Sequence, residues 1–280
     1  MVGKLVKSVL TRKKVPGRSY RALLDSLRKV WRIELVADAQ AILQHGQPEG
    51  ELLPTSPLRV TIWNLCKGVG GNLFEHDFRS LCYRSDLILT QEALLSDRGL
   101  RGYAQRGFVA WHGASYKRVD GLRDGVMTLA KAPALGDLQR ILCKYPEPLL
   151  QTPKTSLVSR FALSGTEQEL LVINMHSTLV RGKSGAVEEI HHVLDRLPEH
   201  QGPVLFGGDF NTFTKGLLRA VESAVKRWDL EFVPVDEDPR AGRAALDQVF
   251  VRGLRPIQAV VDTTIKNSDH FPVLYKFELT

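Results

Sequence analysis

Cysteine is scarce in this 280-residue chain: Cys66, Cys82 and Cys143 are an odd set with no C-x-x-C spacing. That argues against a disulfide framework and against a structural zinc site, and it fits a reducing, cytoplasmic setting. Long apolar runs are missing too. None approaches the roughly 18–20 residues that cross a bilayer, so no transmembrane helix is expected. There is no G-x-x-x-x-G-K-[ST], no G-x-S-x-G and no G-x-G-x-x-G. P-loop, serine-esterase and dinucleotide readings therefore have no support, and no nucleotide cofactor is expected. Internal repeats and low-complexity blocks are absent as well. What remains is an ordinary globular composition, 43% hydrophobic and 25% charged, enough to build a core.

The net charge of +7 is unevenly placed. Residues 1–32 hold ten basic side chains and one acid, Asp25, so this segment carries +9 and the remaining 248 residues carry −2. Within it Tyr20, Leu23, Leu24, Leu27, Val30 and Trp31 recur at helical spacing, with Arg21, Arg28, Lys29 and Arg32 on other faces. Such an arm can dock its apolar stripe on the domain, bind nucleic acid, or lie on an anionic membrane surface. It lacks the apolar core of a secretory signal.

A second apolar-periodic stretch, 33–44, leads into the turn-rich segments Gly46–Gly50 and Pro54–Pro57. The expected division is a basic helical arm and linker over 1–57 and a catalytic domain over 58–280. Strands are predicted at 58–63, 86–91, 107–111, 125–130, 155–162, 169–176, 203–207, 246–251, 257–262 and 271–278. Helices are predicted at 73–83, 184–197 and 215–228. The stretch 93–124 reads as polar and loop-rich. So many strands with few helices do not fit regular βαβ alternation. They fit an α/β fold of two packed mixed sheets with helices outside, a four-layer α/β/β/α sandwich.

The informative residues sit at strand ends. Trp63-Asn64 closes Leu58–Ile62, Gln91-Glu92 closes Asp86–Thr90, and His176 closes Leu170–Met175, a run that includes Asn174. Val204–Gly208 delivers Asp209-Phe210-Asn211, Asp247 opens a strand, and Ser268-Asp269-His270 precedes another. Strands that end together would bring these groups to one rim. Oxygen-rich ligands suit a hard cation such as Mg²⁺ or Mn²⁺, with phosphate completing the shell. Two histidines with carboxylate partners suit proton transfer near pH 7.

The order Asn64, Gln91-Glu92, Asn174-x-His176, Gly208-Asp209-Phe210-Asn211, Leu246-Asp247, Ser268-Asp269-His270 resembles the endonuclease/exonuclease/phosphatase superfamily, including its small bacterial members without an assigned substrate. The resemblance covers about residues 58–280. It implies Glu92 as principal metal ligand, with Asn64 and Asp269 on the metal side. It implies Asp209 orienting the attacking water and Asn211 holding that water or the phosphate. His270 would stabilise the phosphate, oriented by Asp247, His176 would stand where some members place a general acid, and Asn174 would be a weaker phosphate contact. Gln248 departs from the aromatic that nucleases and sphingomyelinases often carry there. Ala245-Leu246-Asp247-Gln248 also lacks the Trp-Cys-Asp-Arg signature of inositol 5-phosphatases.

The leading expectation is a Mg²⁺- or Mn²⁺-dependent phosphodiesterase acting on nucleic acid, a monomer, with the arm supplying salt-sensitive phosphate affinity. A phospholipid phosphodiesterase with the arm as membrane anchor, a small-molecule phosphatase and a silent scaffold are the alternatives. Cys66 reads as a core residue and His112 as an ordinary packed or solvated histidine. At least one of His191 and His192 reads as surface, and His45, His76 and His200 carry no motif.

Overall fold

The computed structural model describes residues 33–68, 71–104, 107–147, 151–179, 182–236, 239 and 246–280, with the backbone alone at 71–73 and 97. The basic arm and its expected helix, within 1–32, lie outside the described residues.

Fourteen strands are present among the described residues: β1 (Glu34–Leu35), β2 (Ile42–Gly46), β3 (Leu58–Asn64), β4 (Leu87–Gln91), β5 (Val109–Lys117), β6 (Arg123–Ala130), β7 (Gln139–Pro146), β8 (Pro153–Ala162), β9 (Glu169–His176), β10 (Val204–Asp209), β11 (Glu231–Phe232), β12 (Asp247–Arg252), β13 (Leu254–Val261) and β14 (Val273–Leu279). The helices are α1 (Gly71–Arg84), α2 (Asp97–Tyr103), α3 (Gly182–Leu194) and α4 (Lys215–Val225). One sheet runs β1-β5-β6-β4-β3-β14-β13, with β2 also on β5, and the other runs β11-β12-β10-β9-β8-β7.

Both sheets bury both faces, so their central strands read as continuous apolar runs rather than alternating ones. The period-two alternation survives as a choice between two cores. On β9, Leu170 and Val172 face the space between the sheets, while Leu171, Ile173 and Met175 face α3 and α4. On β3, Leu58, Val60 and Ile62 point between the sheets, and Trp63 points outward to stack on Phe74 of α1 at 5.1 Å. The four-layer α/β/β/α arrangement is the one expected.

Three local readings change. Residues 34–35 and 42–46, expected in the helical arm and linker, are strands paired antiparallel to β5, with a single 3-10 turn at Asp38–Gln40 between them. Their apolar spacing reflects the burial of Val36 and Ala41 against Ala114, not a helix. The stretch 93–124 is not mainly loop, since it holds α2 and all of the nine-residue β5. The edge strand β7 was not anticipated, because its polar and apolar residues do not alternate cleanly and it ends in Pro146. No helix among the described residues is long and apolar enough to cross a membrane.

Candidate active site

The topology explains why distant motifs meet. β3 and β4 are parallel, with Asn64 level with Gln91, and β9 and β10 are parallel, with His176 level with Asp209. β12 is antiparallel to β10 and starts where β10 ends, so Asp247 lies level with Asp209 on its other side. His176, Asp209 and Asp247 thus form one row across three neighbouring strands. The glycines before Asp209 make the row possible. A Cβ on Gly207 would lie 2.5 Å from Ile62 Cδ1 of the facing sheet, and one on Gly208, at φ 146°, would lie 1.9 Å from the Met175 carbonyl oxygen. Hydrogen at Gly207 leaves room for the facing sheet, and hydrogen at Gly208 lets β10 pair closely with the neighbouring β9.

Asp209 is the hub, with 2% of its surface exposed. Its Oδ2 accepts from Asn64 Nδ2 at 2.9 Å and lies 3.6 Å from His176 Nε2 and 3.9 Å from His270 Nε2. Its Oδ1 accepts from the Asn211 backbone N–H at 2.9 Å, and the Asn211 amide donates to the Ser177 carbonyl at 2.7 Å. Burial and the neighbouring Asp247 carboxylate push the Asp209 carboxyl upward.

His270 arrives from the loop before β14 and is held at several points. The Trp63 indole donates to its carbonyl at 3.0 Å, Ser268 Oγ accepts from its backbone N–H at 3.1 Å, and the same hydroxyl donates to the Asn64 carbonyl at 2.6 Å. Its Nδ1 donates to Asp247 at 3.0 and 3.1 Å, which leaves Nε2 facing Asp209. Burial works against its charge. The Asp247 hydrogen bond and the carboxylates of Asp247, Asp209 and Asp269 outweigh that and push its pKa up to about 9. His176 goes the other way. Burial, then the nearby Lys154, Lys67 and His270 cations, hold it well below the usual imidazole range. At neutral pH the site therefore contains one imidazolium and one neutral imidazole.

Glu92 stands across from this row, at φ 50° just past β4. One oxygen lies 3.2 Å from Lys67 Nζ and the other 3.8 Å from Lys154 Nζ. Lys67 also contacts the buried Asp124, and Lys154 lies 2.9 Å from Glu147. The loop between is tied to Glu92 by its backbone: Leu65 N–H donates to the Gln91 carbonyl and Lys67 N–H to the Glu92 carbonyl. His112 is fully buried and its Nε2 donates to the Ala93 carbonyl at 2.9 Å. Burial lowers its pKa to about 4, so it serves as a neutral prop for the Glu92 loop. Cys66, Lys67, Glu92 and Asn211 all have left-handed backbones. Such strain costs on the order of 1–3 kcal/mol per residue and gathers at functional sites.

The other expected residues divide. Asp269 is exposed and accepts weakly from Ser268 Oγ. It and Glu92 both bear on the Cys66 thiol, which burial and then these carboxylates push up. Asn174 does not reach the rim. It is fully buried, and its amide is consumed by Gln91, the Thr90 and Met127 carbonyls and Thr128, so it clamps the two sheets together instead of touching phosphate. Cys66 is half-buried at the rim rather than in the core. His192 Nε2 donates to the Leu142 carbonyl at 3.0 Å, and His191 packs on Trp228. Lys67, Lys154, Asp124 and Glu147 were missed. The available signals were a lysine three residues past Asn64 and a lysine opening an otherwise buried strand.

Among the described residues, no three His, Cys, Asp or Glu side chains converge to enclose a metal ion. The rim therefore offers no all-protein cage. Its donors suit a hard cation held by one or two carboxylates, with water and phosphate filling the remaining positions. Glu92 is partly exposed and already carries a cationic group near each oxygen.

Residues 62–270 match the sequence model of the Endonuclease/Exonuclease/phosphatase family. A UPF0294 protein of Vibrio campbellii is 30% identical over 236 residues, covering 79% of this chain and 78% of its own length. A family protein from Leptotrichia buccalis superimposes with a TM-score of 0.62 at 17% identity, over 79% of this chain and all of that one. A mannosyl-6-phosphatase from Bacteroides thetaiotaomicron gives a TM-score of 0.59 at 18% identity, over 79% and 99%. The endonuclease domain of the retrotransposon TRAS1 gives 0.53 at 17% identity, over 80% and 99%.

Proposed function

Since the chain belongs to the endonuclease/exonuclease/phosphatase family, whose members hydrolyse phosphate esters, we propose that it is a divalent-metal-dependent phosphodiesterase acting on nucleic acid. The observation that carries this reading is the Asp209 carboxylate, buried and facing Asn64, a neutral His176 and a charged His270.

The imidazolium of His270 and the amides of Asn64 and Asn211 would receive the phosphate oxygens, since each offers N–H groups at the mouth of the row. Asp209 would take a proton from the attacking water, whose oxygen bonds to phosphorus as the bond to the leaving oxygen breaks. His270 would give its proton to the leaving oxygen, and the proton on Asp209 would restore it. His176 is held neutral, so it is poorly suited to the general-acid role expected for it. It would instead orient the water through a hydrogen bond. Mg²⁺ or Mn²⁺ held by Glu92, with Asp269 and Asn64 beside it, would supply charge neutralisation to the crowded phosphate.

Nucleic acid is favoured by the +9 charge of residues 1–32 against a slightly acidic remainder. Phe213 adds support: it is 48% exposed, two positions beyond Asn211, where an aromatic face can stack on a base. A phospholipid phosphodiesterase is the second reading. It rests on Phe213 together with Leu179, 50% exposed three positions beyond His176, as an apolar lip at the site.

The test is a matched panel with Mg²⁺ or Mn²⁺: single- and double-stranded DNA, RNA, sphingomyelin vesicles, a sugar phosphate and a generic phosphodiester. Cleavage of a polynucleotide that vanishes in Asp209→Asn and His270→Ala supports the proposal. Turnover confined to vesicles or to the sugar phosphate replaces it with the corresponding alternative. No turnover on any substrate refutes it as stated.

A further inference from the structure

We infer that Lys67 is a built-in counter-cation of Glu92 that an incoming divalent metal must displace, so that this lysine sets the metal affinity of the site. This rests on the reading of Glu92 as the carboxylate that holds the metal. Lys67 grips the Glu92 residue twice. Its backbone N–H donates to the Glu92 carbonyl at 3.1 Å, and its ammonium lies 3.2 Å from Glu92 Oε2. The strained left-handed backbones of Cys66 and Lys67 hold this arrangement in place.

The lysine has a second home. Its ammonium also contacts Asp124, whose side chain is 3% exposed and needs a cation far more than the 24% exposed Glu92 does. Lys154 repeats the pattern on the other oxygen of Glu92, at 3.8 Å, with Glu147 closer at 2.9 Å. Each lysine thus has a nearer acid to retreat to, and Glu92 is the weaker shared partner of both. A cation approaching Glu92 would meet two ammonium groups within 4 Å of its carboxylate, where like charges repel strongly. The cluster of Lys67 and Lys154 with Glu92, Asp124 and Glu147 carries a net −1, and a bound divalent ion would turn it to +1. Metal loading would then reverse the sign of the field that a phosphate meets.

The test titrates the full-length protein with Mn²⁺ alone by calorimetry. It compares wild type, Glu92→Gln, Lys67→Met and the double variant Lys67→Met/Asp124→Asn, which removes the lysine together with the buried acid that needs it. Mn²⁺ should bind about tenfold tighter in Lys67→Met, and severalfold tighter in the double variant should the single one fail to fold. Glu92→Gln should weaken binding by about 10²-fold, below what the titration detects. Unchanged or weaker binding in the Lys67 variants, with wild type binding and Glu92→Gln not, overturns this inference and leaves the metal role of Glu92 standing. No binding to any of the four proteins overturns both.

Discussion

The two rims of the site begin from the same element, a strand end in a buried sheet, and they handle charge in different ways. On the second sheet, His176, Asp209 and Asp247 lie level on three adjacent strands, and the fixed partners are other members of the site: Asp247 for His270, Asn64 for Asp209. On the first sheet Glu92 is surrounded by lysines, each with another acid available. The first arrangement fixes tautomers and separates two histidines into opposite charge states, as proton transfer requires. The second keeps a carboxylate in reserve under competing cations, which suits holding an exchangeable ion.

The difference breaks most sharply if the two key carboxylates are neutralised in turn. Asp209→Asn should lower kcat by about 10³-fold or more, because the water loses its proton acceptor. Added Mn²⁺ should not restore it. Glu92→Gln should lower activity by roughly 10²-fold, with part of the loss recovered as Mn²⁺ is raised. Steady-state kinetics against metal concentration separates the two, and identical metal responses would erase the distinction between the rims.

His270 sharpens the comparison through pH. Its pKa is about 9 in the folded protein, above the roughly 6.5 of an unfolded histidine, so its pairing stabilises the fold fully below about pH 6.5. That contribution is lost as pH rises through about 9. The difference in unfolding free energy between wild type and Asp247→Asn, from urea melts, should shrink by about 2–3 kcal/mol between pH 6 and pH 10. A difference flat across that range would show that the pair is not charged as described.

The smallest effect lies outside both rims. Glu189 of α3 buries its carboxyl against the Cys143 thiol, with neither oxygen in a normal hydrogen bond, and burial pushes its pKa up. Glu189→Gln should stabilise the fold by about 1 kcal/mol at pH 8 and by less at pH 5, where more of the carboxyl carries its proton. Thermal melts at both pH values read this, and kcat should stay within about twofold of wild type.

The second-sheet rim was largely legible in the sequence because its residues close or open apolar runs that pair in simple register. Asp209 and His176 needed only the knowledge that 169–176 and 203–207 are strands. The first-sheet rim was half legible. Glu92 marks itself at a strand end, whereas Lys154 reaches it only through the stacking of two sheets and Asp124 only through the pairing of β4 with β6, which no local pattern encodes. Asn174 was misread for a related reason: an amide within an apolar strand can face a substrate or a second sheet, and only the packing distinguishes them. The strands at 34–35 and 42–46 were hidden by the apolar spacing of Val36 and Ala41, which pack against Ala114 of β5.

The most direct measurement is a histidine-selective ¹H–¹⁵N NMR titration of the metal-free protein, with His176→Gln and His270→Gln for assignment. His270 should remain an imidazolium until about pH 9, and His176 should stay neutral well below the pH at which an ordinary histidine titrates. Two histidines titrating together near pH 6.5 would contradict it.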